Sequence, residues 1–523
     1  MTKEKIKNYI PKNAKVEFFG NTAIFEISSF DLKNEILNLH KNKKLLLKLV
    51  TATDERKENG CFKIWYIFGS PKENIFIIPF IKVKESEEFP SISLIIHKAW
   101  NYENKISSFF GLKPIGHPDN RTIILHENWP TNIFPLRKDF NWQKKPAEAS
   151  GKFNFQKVKG EGIYEIPVGP IHAGIIEPGH FRFSVAGENI VFLEPRLGYT
   201  HKGSEKLFEI LPLDDKIKLS EKISGDSSFS HSLAFCQALE QLSDSKVPKR
   251  ASYLRVIYAE LERLANHFGD IGAIMMDTGF SFGGAQGARL REMIMQINEK
   301  ITGSRFLRGV NVIGGVTKNI NNDVKIKLAN ELQNILDDFI QIIQIAENSS
   351  TLLNRLQETG KISSEIANDF GAVGIIAKSV GFAFDARLDY SYAAYDESIK
   401  VDIPTEQAGD VYARFRIRVS EVYSSIEIIK TVLDKLPKED IILSNQVTIF
   451  KKRSIAIGVV EGWRGEIIYF ITTDSNGNIS RVFPHDPSIA NWPMIGFAGL
   501  NNIIPDFPLI NKSFNMSYSG NDL

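Results

Sequence analysis

The stretch DVKIKLANELQNILDDFIQIIQIAENSSTLLNRL, residues 323–356, sets apolar side chains at Leu328, Leu332, Leu336, Phe339 and Ile343. Steps of three and four put them on one stripe of an α-helix. A helix this long buries its stripe against other helices, so the chain needs a bundle. RASYLRVIYAELERLANHFGDIGA (250–273) predicts a second such helix, and the helical pattern runs from about 205 to 435.

The flanks read differently. LLLKLVTATDE, FKIWYIFGS and NIFIIPFIKV are apolar, aromatic runs bounded by turn residues, and predict strands before residue 85. Residues 111–140 are rich in Pro, Gly and Asn and predict an extended tail. The polar run NWQKKPAEASGKFNFQKVKG (141–160) reads as a linker. Residues 160–199 alternate like β-hairpins. Strands return from about 445, and a Pro-rich tail closes the chain. The expected fold class is α+β: a first domain over 1–145, a linker at 146–160 and a helical bundle with a peripheral sheet over 161–523.

Charge and cysteine content narrow the chemistry. The net charge is +2, with no dominant Lys/Arg block, so a nucleic-acid partner has no electrostatic support. Cys61 and Cys236 are the only cysteines. They exclude a disulfide framework, and any metal or cluster site needing three or four thiolates from this chain. A reduced, intracellular protein is expected. The N-terminus lacks the apolar region of a signal peptide, and no run reaches the length of a membrane span. A place on the surface of a membrane complex stays open.

Five of the ten histidines, His172, His180, His201, His231 and His267, fall between 172 and 267. Such clustering suggests a polar site. GPIHAGIIEPGHFRF brings Glu177, His180 and Arg182 together on a glycine-rich segment, where a carboxylate and imidazoles suit proton transfer. Glu260, Arg263 and His267 share one face of a helix, which reads as an ion pair on a solvated face. Arg414, Arg416 and Arg418 share a face on a strand and splay on a helix. Asp385, Arg387 and Asp389 add a charged triplet. No G-x-G-x-x-G follows a strand, so no dinucleotide fingerprint is present. These patterns alone name no reaction.

The order of segments goes further. GHPDNRTIILHENWPTNIFPLRKDF resembles the signature of the 30-kDa subunit of respiratory complex I. GPIHAGIIEPGHFRF, GYTHKGSEKLFE, ELERLANHFGDIGA, ITGSRFLRGVNVIGGV, DVYARFRIRVSE and VEGWRGEIIYF follow in the order of group 4 nickel–iron hydrogenase large subunits, which are homologous to the complex I 49-kDa subunit. The fusion of the two parts resembles large subunits of the formate hydrogenlyase type.

That resemblance implies a ligand set. In such hydrogenases the turn before F-x-H-S reads C-G-x-C, and a second C-x-x-C follows D-P near the C-terminus. Soft, anionic thiolates can bridge the two metals. Here those positions are Ser224, Ser227, Ser488 and Asn491. The resemblance therefore implies a large subunit with no metal of its own. Complex I holds quinone in the corresponding cavity with a histidine and a tyrosine. His172 matches the first histidine of that loop and Asp277 its partner aspartate, while Gly225 falls near the tyrosine's place. Glu177 matches the hydrogenase proton gate.

Two roles follow from the resemblance. One is a redox-coupling subunit, with quinone as a possible acceptor and Glu177, His172, His180 and Asp277 relaying protons. Arg182, His231, Glu260, Arg263 and His267 would then line or support the cavity. The other is a non-catalytic structural subunit; a C/D-type subunit of an NADH–quinone oxidoreductase is a separate alternative. Implied partners are an iron–sulfur small subunit of the complex I 20-kDa type and membrane subunits of the antiporter type. The implied place is the cytoplasmic face of the inner membrane.

Overall fold

The structure, a computed structural model, describes residues 2–85, 87–119, 121–395, 399–444 and 449–523. The three predicted strands form: β3 (Leu46–Glu55), β4 (Cys61–Ser70) and β5 (Ile75–Val83). With β1 (Val16–Phe19) and β2 (Thr22–Glu26) they make a five-stranded sheet, ordered β1-β2-β5-β4-β3. Within it, β2 and β5 run parallel and the other neighbours antiparallel. The three long strands are buried along both alternating faces, hence their continuous apolar runs. Helix α1 (Ala99–Phe110) packs on β3. Residues 149–160 carry neither helix nor strand, yet Gln156 N–H donates to Glu194 at 2.8 Å.

The hairpins expected after residue 160 are β6 (Ile163–Val168), β7 (His180–Ala186) and β8 (Asn189–Arg196), an antiparallel sheet with β7 in the middle. Loop 169–179 joins β6 to β7. The bundle comprises α2 (Ser204–Ile210), α3 (Ser228–Leu242), α4 (Lys249–Asp277), α5 (Ser281–Thr302), α6 (Asn322–Glu347) and α7 (Val411–Asp434). The α6 stripe is slightly rotated: Ile335 and Ile342 are buried beside Leu328, Leu332, Phe339 and Ile343, and Leu336 is half-buried. Helix α3 buries most of its polar residues, Ser230, His231, Ser232 and Glu240 among them. It is buried on nearly all sides, because a second sheet covers one flank and α4 another.

That sheet is β9 (Ile455–Gly462), β10 (Gly465–Thr473) and β11 (Ile479–His485), antiparallel in sequence order. The predicted return to strands near 445 begins outside the described residues, and β9 starts at 455. Gly458 lets α3 approach, since a Cβ there would lie 1.9 Å from the Ala234 carbonyl. The opposite face meets the first domain: Trp65 packs on Phe470, and Lys48 pairs with Glu466 at 2.8 Å, both buried. The Pro-rich tail folds as short, largely buried helices, including α8 (Pro487–Asn491).

Candidate functional site

The turn Ser224–Ser227 sits at the start of α3. Three other segments meet it. The β9–β10 hairpin tip brings Trp463 and Arg464, the start of α8 brings Ser488, and residues 515–519 return from the tail. Arg464 is 7% exposed and is the hub. Its Nη1 donates to Asp226 Oδ1 at 2.6 Å, Ser224 Oγ at 3.2 Å and Ser227 Oγ at 3.3 Å. Nη2 donates to Asp226 Oδ2 at 2.7 Å, and Nε donates to the Asn515 carbonyl. This is the two-pronged pairing that a planar guanidinium makes with a carboxylate. Burial opposes a charged Asp226, but Arg464 outweighs it and holds the carboxyl below its usual range.

Ser517 joins the two ends of the site. Its Oγ lies 2.9 Å from Ser224 Oγ, and its N–H donates to Ser488 Oγ at 2.9 Å. Ser224, Ser227 and Ser488 therefore converge. Asn491 turns away, with its amide bonded at both ends to the Val373 backbone at 3.2 Å. The donor set does not fit a nickel–iron centre. It offers hydroxyls and an amide instead of thiolates, their hydrogen bonds are taken by protein groups, and a fixed cation stands among them.

Beneath this cluster, His231 Nε2 lies 3.0 Å from Asp486 Oδ2 and Nδ1 lies 3.1 Å from Tyr469 Oη. Burial resists ionisation of Asp486, yet His231 and Arg464 hold its carboxyl down at about 2. Glu262 closes the start of α3, accepting from the Phe229 and Ser230 N–H groups at 2.7 and 3.1 Å. These are orphan donors of a helix N-terminus. Burial pushes the Glu262 carboxyl up to about 7.

Of the expected relay residues, Glu177 reaches the cluster: it accepts from Ser519 N–H at 3.2 Å. His172 and His180 instead pin the loop between β6 and β7. His172 Nε2 lies 2.7 Å from the Gly179 carbonyl, and His180 Nδ1 lies 3.2 Å from that of Gly169. Arg182 pairs with Glu165 across the sheet at 2.9 Å and stacks on Phe155. Asp277, the last residue of α4, is exposed, and His172 bonds its own loop rather than this aspartate. His201 bonds the Asp522 carbonyl at 2.8 Å.

Two family models match the chain. Residues 25–146 match the respiratory-chain NADH dehydrogenase 30 Kd subunit, and residues 277–457 the 49 Kd subunit. Formate hydrogenlyase subunit 5 of Escherichia coli is 31% identical, over 91% of this chain and 84% of that protein. The chain belongs to this family of fused 30-kDa/49-kDa large subunits. Hydrogenase-4 component G of Escherichia coli is also 31% identical, over 91% and 83% of the two chains. The C/D subunit of the NADH-quinone oxidoreductase of Phocaeicola vulgatus is 29% identical, over 84% and 88%.

In this family member the Glu260, Arg263 and His267 face is not solvated. All three are at most 1% exposed. The reason is tertiary: α7, the short Ala386–Asp389 helix and β9 close over that face of α4 with matching charges. Arg263 and Arg387 donate to Glu260 at 3.1 Å, and His267 Nε2 lies 2.7 Å from Glu421. The arginines of DVYARFRIRVSE lie on helix α7, so Arg414 and Arg418 point inward while Arg416 pairs with Glu347 outside. Among the described residues no helix is long and apolar enough to cross a membrane. Sequence reasoning passed over Arg464, Asp226 and Ser517. The aspartate inside S-G-D-S was the available signal, being a charge at a buried helix start.

Proposed function

We propose that this fused large subunit works without a nickel–iron centre, as the peripheral redox-coupling subunit of a membrane-bound oxidoreductase complex. Its place is the cytoplasmic face of the membrane. An iron–sulfur small subunit of the complex I 20-kDa type delivers electrons, membrane subunits of the antiporter type anchor the assembly, and a quinone is the acceptor class. The observation that carries the reading is Arg464 among Ser224, Ser227 and Asp226 at 2.6–3.3 Å, where relatives of this type would hold metal. Glu177, bonded to Ser519 at the rim, is the group best placed to move protons at the site.

The test uses the complex purified in detergent. Nickel is quantified, the iron–sulfur centres are reduced, and their reoxidation by an added quinone is followed optically. The expected result is no stoichiometric nickel, with rapid reoxidation that slows in Glu177→Gln. Stoichiometric nickel sinks the reading. The hydrogen bonds through Ser517, which tie the serine cluster shut, favour a second reading as a non-catalytic structural subunit. Centres that reduce but never reoxidise with quinone would select it.

A further inference from the structure

Eight titratable groups form one buried network between α4, α7, β9 and the 378–387 segment. Glu260, Arg263, His267, Lys378, Asp385, Arg387, Glu421 and Glu461 are each at most 2% exposed. Its fixed cations are Arg263, Lys378 and Arg387. Its carboxyls are Glu260, Asp385, Glu421 and Glu461. With every carboxyl ionised and His267 neutral, the network holds one uncompensated negative charge. The bordering charges do not cancel it. Arg418 and Asp270 form their own pair at 2.8 Å, as do Lys48 and Glu466. Asp389 is half-buried and adds a further carboxyl. An unpaired buried charge is costly enough that the site binds a proton instead.

Hydrogen bonding decides where that proton resides. Glu260 accepts from Arg263, Arg387, Tyr395 and Ser425. Asp385 accepts from Lys378 and three N–H groups of Arg387. Glu421 takes Lys378 at 2.7 Å and His267 at 2.7 Å. Among the described residues the Glu461 side chain accepts only the Ala386 N–H, at 2.9 Å, and it stands 3.8 Å from Lys378, too far for a hydrogen bond. His267 is the weaker candidate. Its Nδ1 is buried with no partner among the described residues, so an imidazolium would strand an N–H.

We propose that Glu461 is a buried proton store, carrying one proton at neutral pH on behalf of the whole network. It lies three residues from Arg464 on the same hairpin, and Arg263 donates to the Glu461 and Gly462 carbonyls at 2.8 and 3.0 Å. Glu461 thus stands on the strand that leads into the serine cluster. Burial first, and the neighbouring Asp385 second, raise the Glu461 carboxyl to about 8, consistent with the count. Use of this proton in electron transfer rests on the function proposed above; its presence does not.

Infrared difference spectroscopy on the complex tests the assignment without redox chemistry. Wild type minus Glu461→Gln at pH 7 is expected to show one protonated-carboxyl stretch that shifts in D2O. In wild type alone, that stretch should fade as the pH rises past about 8, above the loss expected of Glu262 near 7, a measurement that does not depend on the variant folding. A wild type with no such titrating band overturns the proposal. So does a band that survives in Glu461→Gln and is lost in Glu421→Gln or Glu260→Gln.

Discussion

His231 Nε2 and Asp486 Oδ2 face each other at 3.0 Å across the seam between α3 and the end of β11, both fully buried. Asp486 also accepts the Ser488 N–H at 2.7 Å, so one carboxylate fixes the histidine and starts α8. His231→Leu leaves a buried carboxylate short of its partner and is expected to cost about 3–5 kcal/mol. The folded Asp486 pKa, about 2, lies below its unfolded value near 3.9. Its contribution is therefore present above pH ~4 and lost as the pH falls through ~2. Urea unfolding at pH 7 and pH 3 should show wild type losing more stability than His231→Leu over that drop. Equal losses would mean that the histidine does not hold the carboxylate down.

Arg464 and Asp226 should behave as one unit. In a double-mutant cycle of Arg464→Met and Asp226→Asn, the two changes are expected to be non-additive by about 0.5–3 kcal/mol. Asp226 is a third exposed on its side chain, which places the value toward the lower end. Additive effects would show that the serines, not the aspartate, hold the guanidinium.

The long helices were legible from an apolar stripe at one period, as in α6, and the strands of the first domain from continuous apolar runs bounded by turn residues, as from Cys61 to Ser70. Where burial comes from every side, period fails. Helix α3 buries its polar Ser230, His231, Ser232 and Glu240 as well as its apolar residues, and the Glu260–His267 face looked solvated because its compensating charges, Glu421, Arg387 and Lys378, lie over a hundred positions away. The resemblance to hydrogenase large subunits pointed to Ser224, Ser227 and Ser488, which the fold brings together. Nothing in those positions says that Arg464, from a hairpin 237 residues beyond Ser227, fills the space between them.

Glu461 gives a prediction of opposite sign to Asp486. Its folded pKa is raised to about 8, above an unfolded value near 4.3. Such a group favours the folded state fully at low pH and loses that contribution as the pH climbs toward 8. Thermal melts between pH 6 and pH 9 should show a falling Tm in wild type and a flatter profile in Glu461→Gln. Parallel profiles would place the titrating proton elsewhere.

Lys48 and Glu466 fasten the first domain to β10 through a buried pair at 2.8 Å, with Trp65 and Phe470 packed alongside. Removing one partner strands the other charge away from water. Lys48→Met should therefore cost about 3–5 kcal/mol, and the domain seam should open before the rest of the fold. Proteolysis in the strand-free 149–160 segment would accelerate, and a single melting transition would split into two. Replacing both partners, as Lys48→Met with Glu466→Leu, should restore most of the loss, because an apolar pair leaves no buried charge unpaired. A double variant as weak as the single one would show that the ion pair itself, not the avoidance of a lone charge, holds the domains together.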